Sequence, residues 1–319
     1  MSNIEGEAHA FDMQIEERIA NGHIPDLRRA PVCEYFYNNP WRHPEYVKLD
    51  FGQIFERIDN ALRQSGPQKG RARVMEIGCG PGFISLELAR AGHDVLGLDV
   101  SSKAIAIAKN VASTDPWISE RGPLEYRVAD FLADDNLARG SFDAVVTVGA
   151  LHHFPDQDGV AARVKELLRP GGIFIVQEPT RDRYTRGLAA VVHMIRLFLS
   201  AGGGFYENLS IPTEQVQLDA EIDKIFKSLR YESEGGEKLQ SPNDNEAGYA
   251  EMHAMLSRSF DTVTMQDTSA FFHELIGGLR FDETTNAKLA RYIRDMDTLL
   301  VHEKVLPATE FFFVGKNRI

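Results

Sequence analysis

Hydrophobic positions in the first seventy residues recur at helical spacing. Phe11, Ile15 and Ile19 lie four apart and stop at Gly22, while Val47, Phe51, Ile54, Phe55, Ile58 and Leu62 form a second apolar face that ends near Ser65-Gly66-Pro67. Between them lies an aromatic stretch from Tyr35 through Tyr37 to Trp41. From Ala72 the rhythm changes. β-rich runs at 73–77, 94–98, 124–128, 142–148 and 172–177 are interleaved with helical patterns at 83–91, 102–112 and 159–168, which predicts a mostly parallel sheet covered on both faces. The alternation then stops. Helices are predicted at 188–199 and 213–229, an exposed polar loop at 231–246, and two late strands at 261–265 and 310–314 around a helix at 285–300. The pattern divides the chain into an N-terminal helical arm or cap (1–70), an α/β core (71–182), a helical insertion or lid (183–246), and a C-terminal part of the core with the last two strands (247–319).

The run Val74-Met75-Glu76-Ile77-Gly78-Cys79-Gly80-Pro81-Gly82-Phe83 carries an apolar strand through three alternate glycines into a helix. Glycine lets a backbone turn sharply or approach a ligand, and the helix N-terminus offers free N–H groups. A tight strand-to-helix turn needs glycines without any ligand as well. Glu76 precedes the first glycine near the carboxyl end of its strand, where α/β sheets place ligands. Asp99 ends the next strand. It can accept both hydroxyls of an adenosine ribose, or cap the helix that begins at Ser101 or Ser102. A nicotinamide-binding fingerprint would put its third glycine at Phe83, one place later than Gly82.

These residues carry a resemblance. Glu76-Ile77-Gly78-Cys79-Gly80-Pro81-Gly82 resembles the first motif of class I S-adenosylmethionine (SAM) dependent methyltransferases, and Asp99 matches that family's ribose-binding acid. Ala129-Asp130-Phe131 resembles the adenine-contacting motif, and Phe142-Asp143-Ala144-Val145-Val146, running on to Leu151-His152-His153-Phe154, the fourth-strand motif. Leu168-Arg169-Pro170-Gly171-Gly172 resembles the turn before the fifth strand. The resemblance covers roughly 72–179 and is closest to the small-molecule branch that includes ubiquinone- and menaquinone-type enzymes. It implies a Rossmann-like α/β core with a mostly parallel seven-stranded sheet, N-terminal helices and a helical cap inserted after the fifth strand. It also implies SAM as cofactor and S-adenosylhomocysteine as product, with cofactor contacts from Glu76, Gly78, Cys79, Gly80, Gly82, Asp99, Val100, Asp130, Phe131 and Val148. Asp130 would take the adenine amine and Phe131 pack on the ring; the plainer readings are a solvated strand-end acid and a core aromatic.

The acceptor that the resemblance implies is a small molecule, with a hydroxyl on a sugar, polyketide or quinone-like intermediate as first choice and carbon or nitrogen acceptors as alternatives. A non-catalytic SAM-binding or partner-binding protein on the same fold is the reading from another class. Candidate catalytic groups are His153, His152 and Glu178, since histidine is the natural base near neutral pH. Glu178 either binds a substrate hydroxyl or caps the segment after its strand. Tyr35, Tyr37 and Trp41, with helix 188–199 and its His193, are the candidate lid or substrate contacts; packing of the arm on the core would explain the aromatics, and a core position His193. His152 and His153 are expected to point apart with no carboxylate cluster beside them, so no metal is expected.

Charge narrows the partners. Lys and Arg number 35 against 47 Asp and Glu, a formal net charge of −12, which disfavours a phosphate backbone. Gly149-Ala150-Leu151-His152-His153 also stands where nucleic-acid amino methyltransferases carry Asn/Asp-Pro-Pro-Tyr/Phe. Two cysteines, Cys33 and Cys79, make neither a disulfide framework nor a cysteine-rich zinc site. The first residues lack the basic start and apolar core of a secretion signal. The apolar stretch 187–205 carries His193 and Arg196 and closes on Gly202-Gly203-Gly204, so it reads as a pocket-covering helix. The expectation is a cytoplasmic protein without stable membrane insertion or nucleic-acid partner, with a homodimer left open.

Overall fold

Five runs line up as parallel neighbours: β1 (Arg73–Ile77), β2 (Asp94–Asp99), β3 (Leu124–Val128), β4 (Phe142–Val148) and β5 (Leu168–Pro179); the edge strand β3 buries only Tyr126, while the other four are buried on both faces over most of their length. With β6 (Phe260–Thr268) and β7 (Glu310–Asn317) they form a seven-stranded sheet in the order β3-β2-β1-β4-β5-β7-β6. β7 runs antiparallel to both β5 and β6, which makes the sheet mostly parallel, as expected. This is a computed structural model, and it describes residues 4–30, 32–36, 39–66, 70–233 and 235–318. β1 sits between β2 and β4, with Glu76 opposite Gly97 and Val146. Strand order reverses there, and the crevice beyond the carboxyl ends of such strands is where open α/β sheets take their ligands.

Two apolar layers sandwich the sheet. On one face α3 (Gln53–Ser65) and α4 (Phe83–Arg90) pack Ile58, Leu62, Ile84 and Leu88 against Val74, Val146 and Ile175. On the other, α6 (Gln157–Leu167) and α9 (Tyr249–Ser259) bring Val164, Met252 and Leu256 to Met75, Val145 and Phe174. α9 follows from no expectation above; its apolar residues Met252, Met255 and Leu256 have helical spacing but stand in a polar stretch. α1 (Ile4–Ala20) and the short α2 (Pro44–Val47) precede α3, and α5 (Ser102–Ser113) follows β2. α7 (Arg186–Ala201), α8 (Gln215–Leu229) and α10 (Glu283–His302) gather Leu188, Val192, Leu229 and Ile293 around Phe272 and Leu275 in a separate cluster. Among the described residues no helix is long and apolar enough to cross a membrane.

The arm after α1 is fastened to the core by charge. The Arg90 guanidinium, buried at the end of α4, meets Asp26 at 2.9 Å, Glu87 at 2.6 Å and Asp115 at 3.0 Å. Burial works to raise the Asp26 pKa, but Arg90 and Arg29 outweigh it and hold the carboxyl well below the usual range. Removing one partner of a buried pair leaves the others uncompensated. Arg90→Met is therefore expected to lower the unfolding free energy in urea titrations by about 3–5 kcal/mol. Arg63→Met breaks only the exposed pair with Asp59 and costs less than about 1 kcal/mol. Because the folded-state pKa of Asp26 is depressed, its contribution is complete above the ordinary carboxylate pKa and disappears as pH falls below it. The acid limb of a stability–pH profile should be shallower in Arg90→Met.

Candidate functional site

The glycine turn after β1 opens on a cavity of about 570 Å³. Gly80 has φ +51, and a Cβ there would meet nothing within 4 Å, so this backbone faces open space. Gly82 serves packing instead. Its φ is +82, a Cβ would lie 2.5 Å from the Tyr126 hydroxyl, and that hydroxyl donates to the Gly82 carbonyl at 2.7 Å. Asp99 ends β2 with Oδ2 accepting the Gly80 N–H and Oδ1 the Ser101 N–H, both at 2.8 Å. Ser101, not Asp99, caps α5, through the Ala104 N–H at 3.0 Å. Gly78, Gly80, Asp99, Val100, Asp130, Phe131 and His153 line the cavity, with apolar walls from Ile77, Leu98, Ala129 and Phe154.

Four residues expected to touch the cofactor do not reach this wall. Glu76 is buried beneath the turn, where its carboxylate accepts the Ser85 hydroxyl; burial, with the nearby Asp99 charge, pushes its pKa up to about 8. Cys79 is buried among Leu86, Ile105 and Tyr126, which raises its thiol pKa well above the ordinary value. Gly82 faces Tyr126, and Val148 packs on the α3–α4 layer. These four support the turn from behind.

The chain leaving β4 makes a tight turn, Gly149 to Phe154. Glu178, on β5 with 0% exposure, sits behind it. Its carboxylate accepts the Ala150 and Leu151 N–H groups, both at 2.8 Å, and faces His152 Nδ1 at 2.7 Å. It holds the segment and orients His152, and it lines neither cavity. The two histidine rings do not point apart: their centroids are 4.1 Å from each other with planes tilted by 39°. His153 Nδ1 faces Glu7 of α1 at 2.8 Å, and His152 Nε2 lies 3.6 Å from Asp244 Oδ1. Burial lowers the His152 pKa in spite of Glu178, and raises that of Asp244. The loop expected to be exposed at 231–246 instead buries Ser241, Asn243 and Asp244 at its far end.

A second cavity, of about 940 Å³, adjoins the first; Gln14, Arg18, Gly149 and Gln240 line both. Its own walls include Tyr35, Phe36, His152, Pro179, Arg181, Lys224, Tyr231 and Glu274. The cover over the pair is α1, not the helix expected at 188–199. Ile4, Glu7, Phe11 and Ile15 close the first cavity, and Gln14 and Arg18 bridge to the second. α1 is latched to the 240–243 segment: Gln14 Nε2 donates to the Gln240 carbonyl at 2.7 Å, and Glu7 accepts the Ser241 hydroxyl at 2.7 Å and the Asn243 N–H at 2.9 Å. α7 lines neither cavity, and its His193 is buried inside the helical cluster. Trp41 is also buried away from both, stacked on Phe51 at 5.4 Å beside His23 and Phe83. Tyr35 does reach the second cavity; Tyr37 lies outside the described residues. The latch had no local signal, because Glu7, Gln14 and Ser241 read as ordinary surface residues until the fold brings them together.

Comparison with known proteins agrees with this geometry. A family model described as a methyltransferase domain matches residues 75–176. The chain is 33% identical over 166 residues to the ubiquinone biosynthesis O-methyltransferase of Sinorhizobium fredii, covering 51% of this chain and 63% of that one. It is 33% identical over 149 residues to the enzyme of the same name from Mesorhizobium japonicum, covering 46% and 56%. The match thus spans less than two thirds of these relatives' length. The crystal structure of the 4+2 cyclase SpnF superposes with a TM-score of 0.52 at 15% identity, covering 99% of this chain and 96% of that one, which shows a shared fold. Arg181, Asp244 and α8 lie beyond the matched domain. One expectation concerns the turn itself. Glu178→Gln puts an amide where amide donors already converge, so unfolding free energy should drop by about 2–3 kcal/mol. Asp130→Asn, on the open wall, should change it by less than about 0.5 kcal/mol in the same denaturant titration.

Proposed function

Because residues 75–176 form a class I SAM-dependent methyltransferase domain, we propose that the chain methylates a hydroxyl of a small molecule held in the second cavity. The observation that carries this is the meeting of two cavities at Gly149, with the His152–His153 pair at the junction. The first cavity has acceptors and walls of the kind that SAM needs. Asp99 presents carboxylate oxygen for a ribose diol, Asp130 an acceptor for an adenine amine, and Val100 and Phe131 apolar faces for the ring. When bound, SAM supplies a methyl carbon on a sulfonium, which an acceptor oxygen takes while the electron pair stays on sulfur and S-adenosylhomocysteine is released. The protein's share is alignment, exclusion of water under α1, and handling of the hydroxyl proton. We assign the proton to the His152–His153 junction, with Glu178 as the positioning residue.

The second cavity suits an acceptor that carries an acid or is rich in oxygen. Arg18 leaves its Nε buried without a hydrogen-bond partner among the described residues. Arg181 lies over the Tyr231 ring at 4.2 Å, and among the described residues its side-chain hydrogen bonds go to the Tyr184 hydroxyl and the Leu229 carbonyl, both beyond 3.2 Å. A sugar acid or an acid-bearing phenolic precursor would satisfy both guanidinium groups.

Calorimetric titration with S-adenosylhomocysteine tests the first half. The expected result is micromolar binding, weakened at least about tenfold in Asp99→Ala since hydrogen bonds to a charged group are worth about 1.5–3 kcal/mol, with NADH inert. Absence of binding by the unmodified chain would sink the reading. For the second half, acceptor panels are scored by a product mass gain of one CH₂. Arg181→Met should raise KM for an acid-bearing acceptor about tenfold or more, for the same energetic reason, and leave S-adenosylhomocysteine affinity unchanged.

A further inference from the structure

We propose that His152, His153 and Asp244 bind a divalent transition-metal ion, of the zinc, manganese or iron(II) kind, on the wall between the two cavities. One ligand-capable atom from each lies within 4.8 Å of the others. His152 Nε2 and Asp244 Oδ1 stand 3.6 Å apart, against about 3.3 Å for donors around one tetrahedral ion at its usual bond lengths. That pair needs only a small contraction, while the widest pair of ligand atoms, up to 4.8 Å apart, has to close by up to about 1.5 Å.

A second observation points to a ligand. Asp244 is 1% exposed, yet both of its carboxylate oxygens lack a hydrogen-bond partner among the described residues, and so does the buried His153 Nε2. Buried carboxylates are normally hydrogen-bonded, paired or bound to metal. His152 Nε2, at 3.6 Å, is beyond hydrogen-bonding distance.

The outer partners fit the same reading. Each imidazole has its Nδ1 turned to a carboxylate, His152 to Glu178 at 2.7 Å and His153 to Glu7 at 2.8 Å. A metal-ligating histidine is normally oriented in this way, with the far nitrogen left as a lone pair. Two imidazoles with one carboxylate suit first-row transition ions, whereas magnesium and calcium prefer oxygen donors. Three protein ligands leave coordination positions free, as in catalytic rather than closed structural sites. Since His152 lines the second cavity, a free position can take the acceptor oxygen. A hydroxyl on such an ion ionises at lower pH than a free one; with the ion bound the two imidazoles are ligands, so its proton passes to solvent water in place of the histidine pair that takes it in the metal-free protein. This role rests on the methyl-transfer reading above; the binding itself does not.

The test uses full-length, tag-free protein stripped with a chelator, then titrated calorimetrically with Zn²⁺, Mn²⁺ and Mg²⁺, with Co²⁺ absorption as a second readout. The expected result is one ion per chain at micromolar or tighter affinity for Zn²⁺ or Mn²⁺, with Mg²⁺ much weaker. Asp244→Asn, nearly isosteric, and His152→Gln should each weaken it at least tenfold. S-adenosylhomocysteine affinity of Asp244→Asn should match that of the unmodified protein, which also shows that the variant is folded. Absence of saturable one-to-one binding, binding indifferent to both substitutions, or equal affinity for Mg²⁺ would each overturn the site. Metal binding without S-adenosylhomocysteine binding would uphold the site and overturn the methyl-transfer reading. Methylation by the metal-free protein would leave that reading intact and remove the ion's role in it.

Discussion

A carboxylate with no access to water must be answered by donors, and around Glu178 those donors are the turn itself. Ala150 and Leu151 give it their backbone N–H groups and His152 its Nδ1. Gly149 is tied in parallel, its N–H donating to the Gln177 carbonyl at 2.8 Å. With β4 and β5 side by side, this cluster fixes how far the chain travels past the sheet edge before it turns back. The position of Gly149 between two cavities, the direction of the His152 lone pair and the closeness of the two rings all follow. Charged hydrogen bonds in a dry setting are short and directional, so the junction is tied firmly to the edge of the sheet.

What local pattern encodes was legible in the chain. The parallel strands, the glycine turn, Asp99 and Asp130 all lie where strand–helix alternation and strand-end acids place them. Reasons for individual residues were less accessible. Gly82 looks like a ligand-facing glycine but is required by the Tyr126 ring. Glu76 looks like a ligand-facing acid but is answered by Ser85 beneath the turn. Successive side chains in a tight helical turn start about 120° apart, so the two histidines were expected to diverge. Glu178 and Glu7, from distant parts of the chain, face the two Nδ1 atoms and hold the rings together.

Contacts between distant segments were the illegible part. A polar stretch rich in Ser, Asn and Asp reads as solvated loop, and 231–246 is one for most of its length. Its end is buried because Glu7 accepts from Ser241 and Asn243. In the same way α1 has the apolar face of a helix that packs on a core, and nothing in its own residues says that part of the face closes a cavity. The apolar helix after β5 was the more obvious cover, yet its side chains are spent on α8, α10 and Phe272.

The placement of α1 also has a consequence for timing. One end of its connection is pinned, since Asp26 is clamped by Arg90 and His23 is packed on Trp41. The other side is held by the latch to 240–243. Asn21 and Gly22, the latter with φ +85, form the turn between α1 and the clamp, and a backbone already in the left-handed region there can act as a pivot. A swing about that turn uncovers both cavities together, because Gln14 and Arg18 border each of them. Under the methyl-transfer proposal, donor and acceptor would be uncovered further by one movement, and breaking the three hydrogen bonds of the latch would precede it.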